Sequence, residues 1–312
     1  MDPVISLLEA VPYLRAYAGQ RFVVKVGGEL VGNPDWLAAV SRDVAVLHRL
    51  GIGVVFVHGG GPQLDAAARR AGLVSERVAG RRITSAALID EAVRCWRGDV
   101  SSGCVRALSA HGERAVGVSG VDGGLLMARR RPPRVVTDDG GQRRSVDYGF
   151  VGDLIDVRTD VLDAVLGLPA IPVVTPLAVG EDTEVLNVNA DTVAAAIAVA
   201  LGAAKLVLVT QAPGVLSDPT DERTVVHWGD LETLDQLEAA GVLSGGMRPK
   251  VCAIRRALGG GVDRVHVVDG RRPGSLLEEI FTNAGSGSLF VTEGADPAPQ
   301  SHLPSKPHVL TA

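Results

Sequence analysis

A short apolar strand that runs into a glycine cluster and then a helix recurs along this chain. No other feature limits the fold as sharply. Residues 22–26 are apolar and β-branched around one lysine, and they end at Gly27-Gly28. Residues 54–57 end at His58-Gly59-Gly60-Gly61, where Pro62 opens a helix, and residues 35–50 between the two strands have helical periodicity. Residues 115–118, 171–174, 206–209 and 264–268 read as further strands. Continuous apolar runs of this length suit strands buried on both faces, and alternation with helices suits parallel pairing. The expected fold class is α/β: a three-layer α/β/α sandwich with a mainly parallel central sheet.

Two segments depart from this pattern, and a third ends it. Residues 2–18 read as a leading helix, with Asp2 and Pro3 at its start, Gly19 after its end and a stripe of Val4, Leu7, Leu8, Val11 and Leu14. Such a helix packs either on its own chain or as an arm on a neighbouring subunit. Residues 128–148, rich in Arg, Pro, Gly and Asp, read as a β-hairpin or flap with a solvated tip. Its arginines either attract an anionic substrate or simply keep a surface soluble. Residues 293–312 lack periodicity and are expected to form a disordered tail.

Composition removes several function classes. The net charge of -5 lacks the basic excess of a nucleic-acid binder, and 4% aromatics leaves few stacking platforms. Three scattered cysteines exclude a disulfide scaffold or zinc finger and suit a reducing compartment. No apolar run approaches the length of a membrane span and no signal peptide is evident, so a cytoplasmic protein is expected. The P-loop, the dinucleotide-binding G-x-G-x-x-G, H-E-x-x-H and G-x-S-x-G are all missing.

Of 31 basic residues only four are lysines: Lys25, Lys205, Lys250 and Lys306. In a chain that uses arginine for plain positive charge, a lysine beside a glycine pair asks for a chemical reason. Lys25 precedes Gly27-Gly28 and Lys250 follows Gly245-Gly246. Glycine turns at strand ends let backbone N–H groups approach an anion, and two lysine-bearing clusters point to phosphates. Phosphoryl transfer is the chemistry that fits. Asn189 reads as the N-cap of an apolar helix with Asp191 in its first turn, where the helix dipole keeps a carboxylate ionised. On local sequence, Asp191 is either part of a capped buried helix or an anchor for both lysine ammoniums.

The order K-x-G-G, H-G-G-G-P, G-x-R-x-T, G-x-S-G-x-D-G-G, G-F-V-G, N-x-N-A-D, T-x-x-P-G-V and G-G-M-x-P-K resembles the amino acid kinase family. The resemblance spans residues 4–290. Within the family it is similar to the branch that uses ATP to phosphorylate the side-chain carboxylate of N-acetyl-L-glutamate in arginine biosynthesis. It implies the amino acid kinase fold, an N-terminal helix over residues 1–20, an acyl-amino-acid lobe over 21–178 and an ATP lobe over 179–292. It implies that Lys25 and Lys250 stabilise the transferring phosphoryl group and that Asp191 holds both lysines. Gly27, Gly28, Thr210, Gly214, Val215, Gly245, Gly246 and Met247 match the ATP side, and Gly59, Gly60, Arg82, Asn187 and Asn189 the acyl substrate. Magnesium arrives with ATP, since no carboxylate cluster for a metal is evident.

The helix containing Val11-Pro12-Tyr13-Leu14 and the segments around His266 and Glu279 resemble those of arginine-inhibited hexameric members. Tyr13, His266 and Glu279 are thus candidate arginine contacts, and a homo-oligomer, dimer or hexamer, is expected. Three positions differ from the family's usual residues: Gln211, Val121, and Ser288 at the end of G-S-G-S. Two other readings stay open: a kinase for a related amino-dicarboxylate such as carrier-linked or free 2-aminoadipate, and a non-catalytic arginine-sensing domain. The presence of Lys25, Asp191 and Lys250 together favours the active kinase.

Overall fold

The computed structural model describes residues 3–137, 141–243 and 245–292, with side chains from residue 10. The hairpin tip at 138–140, the expected tail and the side chains of Val4, Leu7 and Leu8 lie outside the described residues. Helix α1 (Pro3–Tyr17) leads into β1 (Arg21–Val26), the short α2 (Gly28–Val31), α3 (Pro34–Arg49), β2 (Gly53–His58) and α4 (Gly61–Arg70). A ribbon of β3 (Arg77–Val78) and β4 (Arg81–Arg82) follows, then α5 (Ala86–Ala92), α6 (Ser101–Ser109) and β5 (Ala115–Ser119). Next come β6 (Leu126–Arg130), β7 (Arg134–Thr137), β8 (Arg143–Val146), β9 (Gly152–Val157), α7 (Asp160–Leu166) and β10 (Ile171–Thr175). The second half holds β11 (Leu177–Val179), β12 (Val185–Asn187), α8 (Ala190–Ala200), β13 (Lys205–Thr210), β14 (Trp228–Gly229) and α9 (Leu231–Ala239). It closes with α10 (Met247–Gly259), β15 (Arg264–Asp269), α11 (Ser275–Phe281) and β16 (Ser288–Val291).

The main sheet has eight strands in the order β14-β16-β15-β13-β1-β2-β10-β5. Of its pairings only β15–β16 is antiparallel, so the expected mainly parallel sandwich forms. From β1 the chain turns to β2 on one side and later returns to β13 on the other. That makes the gap between β1 and β13 the switch point, where the carboxyl ends of parallel strands open a crevice.

Strand parity decides which side chains face which helices. Phe22, Val24 and Val26 enter one apolar core with Val44 and Leu47 of α3 and Leu276 and Ile280 of α11. Val23 faces the other way, into a second core with Ala194 and Ile197 of α8 and Ile254 of α10. Lys25 shares Val23's parity and is buried. A lysine within this strand therefore emerges under α8, which packs on both β1 and α10.

The arginine-rich segment divides. Residues 126–130 form β6, which belongs to a four-stranded sheet ordered β12-β11-β6-β9, and only β7 and β8 make the hairpin. Its arginines are largely matched to carboxylates: Arg131 and Arg134 pair with Asp153, and Arg129 with Glu181. This favours the solvated-surface reading. Helix α1 continues through Pro12 and packs on α11 of its own chain, with Tyr13 and Tyr17 buried.

Candidate active site

The carboxyl ends of β1, β2 and β13 gather the lysines and glycines. Lys25 Nζ lies 2.7 Å from Asp191 Oδ1, and Lys250 Nζ lies 3.8 Å from Asp191 Oδ2. Asp191 sits in the first turn of α8, where the Asn189 side chain accepts from the Asp191 and Thr192 N–H groups at 2.9 and 3.1 Å. Lys250, in the first turn of α10, reaches back to the Gly246 carbonyl at 3.3 Å. One carboxylate is thus shared by two ammoniums delivered from a strand and a helix. Burial alone would raise the Asp191 pKa, but the charges of Lys25 and Lys250 hold it below the usual carboxylate range. Lys250 moves the opposite way from an ordinary lysine: burial first, and the charge of Lys25 second, lower its pKa from 10.5.

A pH prediction follows from that shift. The Lys250 ammonium loses its proton below the ordinary 10.5, so an activity that needs its charge declines on the alkaline side before a free lysine would titrate. A kcat profile from pH 7 to 10.5 checks this, and a plateau through the whole range contradicts it.

The glycines are more specialised than expected. The Gly27 N–H donates to Val209 at 3.1 Å and the Gly59 N–H to Val26 at 2.8 Å, so these two amides extend the sheet and are not available to a ligand. Of the glycines matched to the ATP and acyl-substrate sides, Gly27 and Gly59 thus contribute through their place in the sheet. Among the described residues, the Gly28 and Gly60 N–H groups have no acceptor. A Cβ on Gly28 would lie 3.1 Å from both the Gly60 and Gly61 nitrogens, so the free amides converge between the ends of β1 and β2. Such a nest suits an anion.

Several supporting groups escape a reading of motifs. A π-helix over Val93–Val100 carries Trp96, whose Nε1–H donates to the Gly60 carbonyl at 2.7 Å. Gln63 donates to the Gly28 carbonyl at 2.7 Å. His58 is fully buried between the Thr175 hydroxyl at 2.9 Å and the Gly59 carbonyl at 3.1 Å. Burial pushes its pKa down to about 4, so it is a neutral brace and adds no charge.

Arg82, buried at the end of β4, donates to Asp65, to Ser75 and, at 3.1 Å, to the Gly61 carbonyl. Although burial acts against it, hydrogen bonds from Arg82, Ser75 and Arg77 bring Asp65 down to about 2. Asn187 Nδ2 donates to the Thr84 hydroxyl at 3.2 Å, while the Phe150 N–H bonds Thr84 and the Asn187 N–H bonds Phe150. Three separated motifs therefore meet beside the glycine loops. Asn189, expected to touch substrate, has its carbonyl oxygen committed to the cap.

On the β13 side, Thr210 ends its strand and its carbonyl accepts from the Gly270 N–H at 2.8 Å. Gly214 and Val215 pack against Ser288, and Gly245, Gly246 and Met247 start α10. Tyr13, His266 and Glu279 lie elsewhere, on the sheet face opposite Lys25. Tyr13 donates to Asn283, and His266 Nδ1 meets Glu279 at 2.8 Å. Lys205 joins them, its Nζ 2.9 Å from His266 Nε2. The scarcity of lysine flagged Lys25 and Lys250, and it could have flagged Lys205.

Residues 20–269 match the profile of the amino acid kinase family. The chain belongs to the amino acid kinase family. Similarity within the family runs nearly end to end. The acetylglutamate kinase of Myxococcus xanthus is 45% identical over 295 residues, 94% of this chain and 96% of that protein. That of Acinetobacter baylyi is 39% identical, over 93% of this chain and 94% of its own. Among solved structures, N-acetylglutamate synthase from Neisseria gonorrhoeae, complexed with coenzyme A and N-acetyl-glutamate, superposes with a TM-score of 0.79 at 28% identity. That match takes in 97% of this chain and 68% of the synthase. This amino acid kinase thus spans most of the length of these two kinase relatives, with its shared-carboxylate lysine pair at the sheet's switch point.

Proposed function

We propose that this chain transfers the γ-phosphoryl group of ATP to the side-chain carboxylate of N-acetyl-L-glutamate, giving N-acetylglutamyl phosphate and ADP. The observation that carries the proposal is the Lys25–Asp191–Lys250 arrangement at the mouth of the glycine loops, in a chain similar along its length to acetylglutamate kinases. A carboxylate approaching ATP brings two anions together, and two ammoniums with a nest of amides offset that repulsion. The nucleophile is already ionised at neutral pH, so the site needs no general base. The β2 side, with Gly60, Arg82 and Asn187, receives the acceptor; the β13 side, with residues 210–215 and 245–247, receives ATP. The two lobes, 21–178 and 179–292, then meet across one sheet.

Among the described residues no three carboxylate, imidazole or thiolate groups surround a point where a metal could sit. The two oxygens of Asp191 face lysines. Magnesium belongs to the proposal as the companion of the ATP phosphates.

Arg82 supplies the grip on an acceptor carboxylate. Arg82→Ala is expected to raise KM for N-acetylglutamate about 10- to 100-fold, the loss of one charged hydrogen bond. KM for ATP should stay near its original value. An ADP-release assay in which both KM values rise together contradicts the placement. The same assay run with glutamate, aspartate and 2-aminoadipate as acceptors tests the substrate. Turnover confined to N-acetylglutamate supports the proposal, and preference for another acceptor replaces it.

We extend the proposal to an arginine effector held by Tyr13, His266 and Glu279. Support comes from the burial of all three and from the packing of α1, which carries Tyr13, on α11, which carries Glu279. Addition of arginine to the assay tests it. A cytoplasmic homo-oligomer, a dimer or a hexamer, completes the proposal. The unpaired cysteines suit a reducing compartment, and the exposed Val116 on the edge strand β5 suits a second copy. No described helix is long and apolar enough to cross a membrane.

A further inference from the structure

The segment between α11 and β16 connects two parts of the molecule that the proposed reaction leaves separate. Glu279 Oε2 accepts from the Ser286 N–H at 2.6 Å and the Gly287 N–H at 2.8 Å, while its Oε1 meets His266. One residue on, Ser288 Oγ accepts from the Val215 N–H at 2.9 Å, and His227 Nδ1 lies 3.1 Å from the Gly287 carbonyl. Ser288 is fully buried. Val215 is pinned from its other side too, its carbonyl accepting from the Val226 N–H at 2.8 Å.

The packing leaves this chain of contacts little freedom. A Cβ on Gly214 would lie 2.5 Å from Ser288 Oγ, and one on Gly287 would lie 2.2 Å from the Val267 carbonyl oxygen. Gly285 adopts a φ of +65°, and a Cβ there would meet Glu279 Oε2 at 2.8 Å. The carboxylate of Glu279 therefore fixes the two amides that precede Ser288, and the Ser288 hydroxyl fixes the loop that follows β13. Serine at the end of G-S-G-S keeps the hydroxyl on Cβ that threonine would offer, so this departure from the family pattern preserves the acceptor.

We propose that Ser288 is a positioning residue for the nucleotide, setting Gly214 and Val215 in place and itself set in place by Glu279. The inference rests on the reading of residues 210–215 as the nucleotide side. It gives the buried Lys205–His266–Glu279 cluster a task in the reaction on the far face of the sheet. Through Glu279 the cluster holds the start of β16, whose Ser288 braces the loop that follows β13.

The test uses the full chain, three single variants, Ser288→Ala, Ser288→Thr and Glu279→Gln, and the Ser288→Ala/Glu279→Gln double variant. Ser288→Ala leaves the Val215 N–H without its acceptor. It should raise KM for ATP and Kd for ADP about five- to tenfold, with KM for N-acetylglutamate unchanged. Ser288→Thr should restore both. Glu279→Gln should shift ATP KM in the same direction, and the double variant should add little to Ser288→Ala alone, since both act through one chain of contacts. Hydrogen exchange at the Val215 amide should quicken in Ser288→Ala. If Ser288→Ala does not fold, Ser288→Cys, a weaker acceptor in the same place, carries the same comparison.

Unchanged ATP affinity in Ser288→Ala overturns the proposal. So does an equal rise of both KM values with a lower melting temperature, the mark of a merely structural role. Hydrogen exchange of the unaltered protein with and without ADP separates the two levels. Protection of residues 210–215 upholds the nucleotide reading whatever Ser288→Ala does. No protection there overturns that reading and the role of Ser288 with it.

Discussion

Lys25→Arg and Lys250→Ala are each expected to lower kcat by about 10²-fold or more, the scale seen when one preorganised transition-state donor is removed. Lys25 is 5% exposed, with its ammonium 2.7 Å from Asp191 at the end of a strand buried on both faces. A guanidinium keeps the charge but is planar and larger, so it cannot sit at the same point between carboxylate and phosphate. Lys250→Ala removes the charge without crowding. If charge position matters most, the two variants fail alike; if net charge alone matters, only Lys250→Ala fails. Steady-state kinetics at saturating ATP and acceptor decide between them, and near-normal kcat in both variants removes the lysines from the mechanism.

Asp191→Asn is expected to damage both stability and turnover. Removing one partner of a buried ion pair typically costs about 3–5 kcal/mol, because the other charge is left uncompensated. Here two ammoniums lose their shared counter-charge. Turnover should fall because neither lysine is held where the phosphoryl group passes. On the proposed reading Asp191 acts through the lysines, so its signature lies in the pH profile. The carboxylate's negative charge raises the Lys250 pKa, against the effects of burial and of Lys25. Without it, Lys250 gives up its proton more readily, and the alkaline limb of kcat should move to lower pH. Chemical denaturation measures the stability loss. An unmoved alkaline limb shows that Asp191 supports the helix and not the lysines.

Much of the fold was legible because most of the main-sheet strands are buried on both faces, the edge strand β5 being the exception. Such strands read as continuous apolar runs, and the six foreseen from sequence all lie in the main sheet. Two further members, β14 and β16, were not foreseen. The first is two residues long, and the second pairs antiparallel at the chain's end, where periodicity gives little signal. The charged triad was legible for a different reason. Lysine is rare in this chain, and Asp191 follows an N-cap that places it in a helix's first turn.

What stayed hidden are contacts that depend on closure between distant segments. Trp96, which reaches Gly60, lies in a π-helix, and nothing in the local sequence announces that turn. Asp65 lies on the face of α4 that meets Arg82, and a carboxylate on an amphipathic helix looks like any solvated residue until the fold closes. The division of labour among the glycine amides was hidden as well. It depends on sheet pairing, which occupies Gly27 and Gly59 and leaves Gly28 and Gly60.

The central claim is that a carboxylate receives the phosphoryl group at the Lys25–Asp191–Lys250 site. Hydroxylamine traps acyl phosphates as hydroxamates, so the most direct measurement incubates the protein with ATP, magnesium, N-acetyl-L-glutamate and hydroxylamine. ADP and hydroxamate are then measured together. The account predicts the two in equal amounts, with both lost in Lys250→Ala. ADP formed without hydroxamate would show that the phosphoryl group goes elsewhere and would contradict it.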